Sequence, residues 1–282
     1  VTRFTRKFTP ILLALMLALL GRVSALGAAA QGSASGQTKG AAKTAPKAAP
    51  AAARKAPGKA AAETAAARAR AAEIIERYEA AIGGRAAQLK LTSRHIEATV
   101  EFQIETGPVQ GTMESWEKAP NKFLAVMNLP NVPPIVQGCD GRAAWMQTPE
   151  GVRDQTGEEL EESLKDADFY EDIHIRQSYA DLRHVGRTDI AGAAADIVEG
   201  ANPGKPPERI YFDLHTGLLV RRDVSRMNGD SRENAVLFFG DYREVDGIQF
   251  PFAMREESGL TVRILKIEHN IPVDDAKFAR PK

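Results

Sequence analysis

Asp213 and His215 stand two residues apart in YFDLHTGLLVRRDV, Tyr211–Val224, with Arg221 and Arg222 close behind. On a strand that spacing places both side chains on one face, where a carboxylate could orient an imidazole for general acid/base work. The residues between and after them give a second reading. LHTG, ending in Gly217, has the composition of a turn: glycine supplies a positive φ, and Asp and Thr side chains bond nearby backbone donors. The turn is the better supported of the two, because acid/base chemistry requires a pocket and a geometry that spacing does not provide. In that reading Ile210, Phe212, Leu218 and Val220 form the buried part of a hairpin and the charged residues its solvent side.

The other candidates for chemistry are sparse. The five histidines, His95, His174, His184, His215 and His269, include no HExxH pair and no cluster of ligand types, so no metal site is expected. Cys139 is the single cysteine, which excludes an internal disulfide, a cysteine-based zinc site and a CxxCH haem attachment; as a strand residue it reads as a buried thiol. GEELEESLKDAD, from Gly157, is rich in carboxylates but lacks the alternating ligand spacing and central glycine of a calcium loop. There is no GxSxG, and no glycine-rich phosphate loop leads into a helix. No catalytic residue, cofactor or metal is therefore expected, and a non-enzymatic protein is.

The ends of the chain point to export. Arg3, Arg6 and Lys7 precede the apolar run Ile11–Leu20, and small residues follow at Val23–Ala25 and Ala28–Ala30. With position 1 taken as the start, residues 1–30 read as a secretory signal peptide; the run is too short to span a hydrocarbon core of about 30 Å. No cysteine near the cleavage region offers itself for lipidation, so a free periplasmic protein is expected. Residues 31–61 are rich in Ala, Pro, Lys and Gly without large apolar side chains, the composition of a disordered linker. Residues 31–70 carry eight Lys/Arg against Glu63 alone, whereas residues 71–282 carry 25 Lys/Arg against 36 Asp/Glu. The overall neutrality is thus a basic tail set against an acidic domain. Such a tail is either a solvated linker or a contact to an anionic envelope surface, and an acidic exported domain is a poor partner for nucleic acid.

Residues 62–282 read as one domain. Ile74, Ile75, Tyr78 and Ile82 recur at helical spacing between Glu63 and Gly84, predicting an N-terminal helix that stops at Gly83-Gly84. In HIEATVEFQIET, residues Ile96, Ala98, Val100, Phe102 and Ile104 alternate with polar ones, the mark of a half-buried antiparallel strand. Similar short segments continue to the C-terminus. Asp140-Gly141 and Asp246-Gly247 are two-residue hairpin signals, and Pro251 places its strand at an edge or bulge. Gly157–Leu182 breaks the pattern with Leu160, Leu164 and Phe169 at helical spacing, predicting one or two short helices. The expected fold is mainly antiparallel β (α+β), a meander of about 10–12 strands with an N-terminal helix and a helical insert. A sheet that large twists and curls. It either closes or curves around its helices to leave an apolar groove.

Three later segments and one early one carry a family resemblance. IIERYEAAIGGRAAQLKLTSRHIEATVEF, YFDLHTGLLVRRDV, DYREVDGIQFPF and IEHNIPVDDAKFARP, in that order across Ile74–Pro281, resemble the outer-membrane lipoprotein-sorting family, the LolA/LolB-like superfamily. The resemblance implies a curved half-barrel with a helical lid over an apolar cavity. It also implies binding of lipid or lipoprotein acyl chains, as a carrier or a sensor; it transfers no functional residue. Strand phase alone nominates Ile96, Val100, Phe102, Phe123 and Trp145 as cavity lining, with core packing the other reading of Trp116 and Trp145. A non-catalytic structural or interaction domain held at the envelope by the basic tail is the alternative function.

Overall fold

The computed structural model describes residues 59–104, 107–228 and 230–282. The expected signal peptide and the expected linker as far as residue 58 lie outside these residues. Helix α1 (Lys59–Ala81) begins four residues before Glu63, through an alanine-rich lead-in of high helix propensity. Its stripe of Ile74, Ile75, Tyr78 and Ile82 is buried. Gly83 and Gly84 end it with φ of 106° and 80°, and Gly84 N–H returns to Glu79 O at 2.9 Å, a glycine stop of the usual kind. A one-turn helix, α2 (Arg85–Gln88), follows.

Thirteen strands make one antiparallel sheet. The first six are β1 (Ser93–Ile104), β2 (Gly107–Lys118), β3 (Lys122–Asn128), β4 (Ile135–Cys139), β5 (Ala144–Thr148) and β6 (Gly151–Asp154). Helix α3 (Gly157–Asp166) and a 3-10 turn (Glu171–Ile173) form the insert. The remaining strands are β7 (Asp181–Ile190), β8 (Ala193–Ala201), β9 (Glu208–Asp213), β10 (Leu219–Asn228), β11 (Ser231–Val245), β12 (Ile248–Glu256) and β13 (Leu260–His269). A C-terminal 3-10 turn (Asp275–Phe278) closes the chain. Neighbours in sequence are neighbours in the sheet, except that β1 pairs with both β2 and β13 while β6 and β7 are the free edges. Strand β6 is the one that sequence pattern does not announce; its four residues include no buried one, so it carries no alternation.

The sheet is strongly curled. Helix α3 touches both β5 and β10, which stand eight places apart in the strand order. Laid flat at about 4.8 Å per strand, those strands would be about 38 Å apart, whereas a helix of this length spans about 15 Å. Only a sheet folded towards the insert brings both walls to one short helix. Register then sorts the side chains by face. The inner face carries Phe123, Ala98, Val100, Val262, Met254, Leu237 and Ile210 in paired rows; Leu124 and Trp145 belong to the outer face. Helix α1 packs on the inner face of β8–β11 through Phe212, Val198, Ile210 and Leu237.

Local chemistry follows the sequence reading at some turns and departs from it at others. Asp246 and Gly247 have φ of 53° and 80° between paired Val245 and Ile248, the two-residue turn expected. The Asp140 turn is longer: Cys139 pairs with Ala144, and the Asp140 carboxylate accepts from Arg142 and Ala143 N–H at 2.8 and 2.9 Å, stabilising a four-residue loop in place of the two-residue one. Pro251 lies in β12, between β11 and β13 and not at an edge of the sheet. It pairs with Tyr242 of β11, while the β12–β13 ladder covers only Ala253–Arg255, so its missing donor falls where β12 has no second partner.

The end of α1 is seated on the β11–β12 turn: Gln249 N–H donates to Ile82 O at 3.2 Å, and a Cβ at Gly83 would lie 2.2 Å from Gly247 O. Gly83→Ala should therefore lower stability by more than about 1 kcal/mol, since it adds both a clash and a strained φ. Urea unfolding of the two proteins gives the comparison, and an unchanged midpoint would refute this account of the helix end.

Candidate functional site beneath the inserted helix

The site is a groove between the inner face of the sheet and the insert at 157–180. Helix α3 is amphipathic in an unusual sense. Leu160 and Leu164 pack on Phe123, Cys139 and Ala144, while its carboxylates clasp opposite walls of the sheet. Glu159 accepts a two-pronged bond from Arg153 of β6 at 2.7 Å on each oxygen, a geometry that fixes both partners. On the other wall Arg232 of β11 bonds Glu158 and, at 3.1 Å, Glu162. Glu162 also accepts from the backbone N–H of Met227 in β10 at 2.7 Å.

Below the helix lies a buried ionic network centred on β10. Arg222, Val224 and Arg226 share the inner face, and both arginines are almost wholly buried. Arg222 donates to Glu171 at 3.1 Å and Arg226 to Glu208 at 2.7 Å. Tyr179 donates its hydroxyl to Glu208 at 2.6 Å; its ring lies against Gly200, where a Cβ would sit 2.4 Å away, so only glycine admits it. Burial would push the Glu208 carboxyl up, but Arg226, Lys165 and Arg222 outweigh it and hold it down at about 2. Burial lowers Lys165 to about 8 and pushes Asp166 above the usual carboxylate range despite Arg226.

These arginines overturn the sequence reading of the hairpin. Expected solvent-side residue Arg222 is 3% exposed, whereas Leu219, not Leu218 or Val220, is the buried aliphatic residue after the turn. Leu219 faces inward because it pairs with buried Phe212, and a bulge between Leu219 and Arg221 then shifts the phase of β10 by one, so that Arg222, paired with Ile210, shares that face. Ile210 and Phe212 are buried as expected.

The cavity itself is small, about 70 Å³. Its apolar walls include Ile96, Phe123, Phe169, Phe250 and Met254, and its polar lining includes Arg94, Glu117 and Asp166. Arg94 is bonded to Glu117 and lies over the rings of Phe250 and Phe169, 4.7 and 5.2 Å from their centroids, so a cation roofs part of an aromatic wall. Of the five nominated residues, Ile96 and Phe123 line this cavity. Val100 and Phe102 share the same face but are packed with Met113, Met127 and Leu260 in an adjoining core cluster. Trp145 points the other way, packed on Leu124 and Phe278, with its indole N–H 3.4 Å from Phe278 O.

Asp213 and His215 are not brought into this groove. The Asp213 carboxylate accepts from the backbone N–H groups of His215 and Thr216 at 2.9 and 2.6 Å and from the Thr216 hydroxyl at 2.8 Å, and His215 is exposed. Asp213 is a turn residue. Among the described residues, His95, Glu97 and Glu268 could bring three metal-ligating atoms within 4.8 Å of one another. They lie on the outer face, and Lys266 already pairs with Glu268 at 2.9 Å. Sequence reasoning missed Arg222, Arg226, Glu208 and Asp166; once the bulge is known, the spacing of Arg222, Val224 and Arg226 in one strand phase is the signal that marks the two arginines as inward.

The long open antiparallel sheet, curled round an N-terminal helix and a short helical insert, is a LolA-like fold. Solved structures with this architecture include a DUF1329 family protein from Desulfovibrio piger, at 16% identity and a TM-score of 0.53, covering 76% of this chain and 97% of that one. A LolA superfamily protein from Nitrosomonas europaea matches at 10% identity and a TM-score of 0.51, over 74% of this chain and 97% of that one. A domain from Vibrio parahaemolyticus, described by its outer membrane lipoprotein-sorting type, matches at 11% identity and a TM-score of 0.50, over 75% and 97%. No family profile matches the sequence, and no curated protein does; the likeness is one of fold.

The depressed Glu208 carboxyl has a pH signature with a definite sign. Between about 4.5, its ordinary value, and about 2, the unfolded chain binds this proton and the native state does not, so stability present at neutral pH is lost as pH falls through that window. Glu208→Gln should flatten the stability profile between those pH values. At pH 7 it should be less stable by about 3–5 kcal/mol, because Arg226 loses its charged partner. Urea unfolding at a series of pH values measures both, and parallel profiles for variant and wild type would contradict the assignment.

Proposed function

We propose that this chain is a periplasmic lipid- or lipoprotein-binding protein, a carrier or sensor that takes acyl chains on the concave face of its sheet. The observation that supports the reading is the groove: aromatic and aliphatic side chains from β1, β3, β11, β12 and β13 face a helical insert across a cavity, and the charged side chains on that wall, Arg94 and Glu117, are paired with each other. Each methylene buried there would contribute about 0.8 kcal/mol, so an acyl chain needs little hydrogen bonding to be held. With the insert seated, the cavity of about 70 Å³ has room for about two waters. Uptake of a chain therefore requires the insert to lift, and its clasps are ion pairs and hydrogen bonds that can re-form. The fold shared with the lipoprotein-sorting domain from Vibrio parahaemolyticus agrees with this reading, as does the export signal read in residues 1–30.

The small size of the cavity favours one other reading. If the insert stays down, the concave face is a filled core, and the domain is a non-catalytic structural or interaction module. Its basic residues between 31 and 61 would then hold it against an anionic envelope surface.

Lipid extraction and mass spectrometry of the protein purified from a bacterial periplasm separate the two. The carrier or sensor reading expects acyl lipid recovered with the protein and uptake of a fluorescent fatty acid by the delipidated chain. Neither lipid nor uptake would leave the filled-core reading standing.

A further inference from the structure

Five carboxylates line the cavity, Glu117, Asp166, Asp168, Glu171 and Asp172, against one cation, Arg94. Four of the five have hydrogen-bond partners. Glu117 takes Arg94 at 3.0 Å, Asp168 meets His174 at 2.6 Å, Glu171 takes Arg222 at 3.1 Å, and Asp172 takes the Tyr78 hydroxyl. Asp166 differs. It is 4% exposed, and neither of its oxygens accepts a hydrogen bond from any described residue. The guanidinium within ion-pair range, Arg226 Nε, is 3.8 Å away, beyond hydrogen-bond distance, and the Nη1 of that arginine is committed to Glu208.

A buried carboxylate without a donor is costly, and folds retain such groups where a ligand completes them. We propose that Asp166 is the polar end of the ligand site, receiving the ammonium of an amphiphile with a primary-amine head group. This rests on the reading of the groove as an acyl-chain site and specifies the head group. Two acceptor oxygens without a donor select a ligand head group that donates hydrogen bonds over an anion. A primary ammonium carries three donors, enough to serve both open oxygens of Asp166, and is small enough for the cavity beside it. Phe169, Phe250 and Met254 supply the adjoining apolar wall along which the alkyl part would run. Burial holds Asp166 above the usual carboxylate range, and an ammonium next to it would favour the ionised form.

The test is calorimetric titration of the full chain with dodecylamine, dodecanol and sodium dodecanoate. Each is kept below its micelle-forming concentration, at a salt level that screens surface charge. The expected result is that the amine binds wild type at least about tenfold more tightly than the alcohol, a difference of about 1.4 kcal/mol. Asp166→Asn should abolish the preference for the amine over the alcohol and leave the thermal midpoint unchanged or raised, since it removes a carboxylate with no hydrogen bond. Equal binding of amine and alcohol to wild type overturns the proposal while leaving the acyl-chain reading intact, as does an Asn variant that keeps the amine preference. Failure of all three probes to bind overturns both. If Asp166→Asn does not fold, the wild-type ranking of the three probes decides.

Discussion

The structure depends on the pairing of two buried arginines, Arg222 and Arg226, with carboxylates that come from different parts of the chain. Glu171 belongs to the insert and Glu208 to the neighbouring strand β9. Neither arginine could be buried on the inner face of a sheet without such partners, because the desolvation of a charge exceeds what packing returns. The pairing therefore couples two things that a simple half-barrel would leave independent: the position of the insert and the integrity of the β9–β10 wall. The outer clasps, Arg153 with Glu159 and Arg232 with Glu158 and Glu162, are partly exposed and individually weaker. They orient the helix that the buried pairs anchor. The insert is thus held from below by strong, costly interactions and from the sides by weak, reversible ones.

Packing divides the inner face into two territories. Helix α1 fills the β8–β11 side through Ile75, Tyr78 and Ile82 against Phe212, Val198 and Leu237. The β1–β3 side is filled by its own side chains, Met113, Met127, Val100 and Phe102 among them. The cavity lies between these two, where β12 and β13 are hydrogen-bonded over only a few residues and Pro251 interrupts the donor row. A space is left where the sheet is least regular, and aromatic rings with an arginine laid over them border it.

Much of the fold is legible in the sequence, and the reasons differ from element to element. Strand β1 is readable because one face of it is dry and the other wet, so Ile96 to Ile104 alternate with polar residues. Helix α1 is readable because Ile74, Ile75, Tyr78 and Ile82 form a stripe and two glycines stop it. Strand β6 is invisible because four residues with no buried side chain carry no pattern. The polar heart of the groove is hidden for a different cause. VRRDVSR looks like the outside of a hairpin until the bulge after Leu219 shifts its phase, and a bulge leaves no compositional mark here. Likewise strand phase puts Ile96 and Phe123 on one face, the face that lines the cavity, but phase counted within β5 alone could not tell which side of the sheet Trp145 takes. Nothing local distinguishes Asp166 from the other carboxylates of α3, because what sets it apart is the donor that its neighbours have and it lacks.

The β1–β13 ladder, which joins Arg94 to His269 and Phe102 to Leu260, has a consequence for how the chain reaches this state. Apart from that ladder, the sheet is two local meanders, β1–β6 and β7–β13, each built from neighbours in sequence and so inexpensive in loop-closure entropy. The seam between them closes a loop of most of the domain. Until β13 is made, the dry face and one hydrogen-bonding edge of β1 have no cover, and that edge is a long alternating strand of the kind that recruits foreign strands. The chain's most regular strand is therefore also its greatest exposure to misassembly during synthesis, and β13 is what ends that exposure.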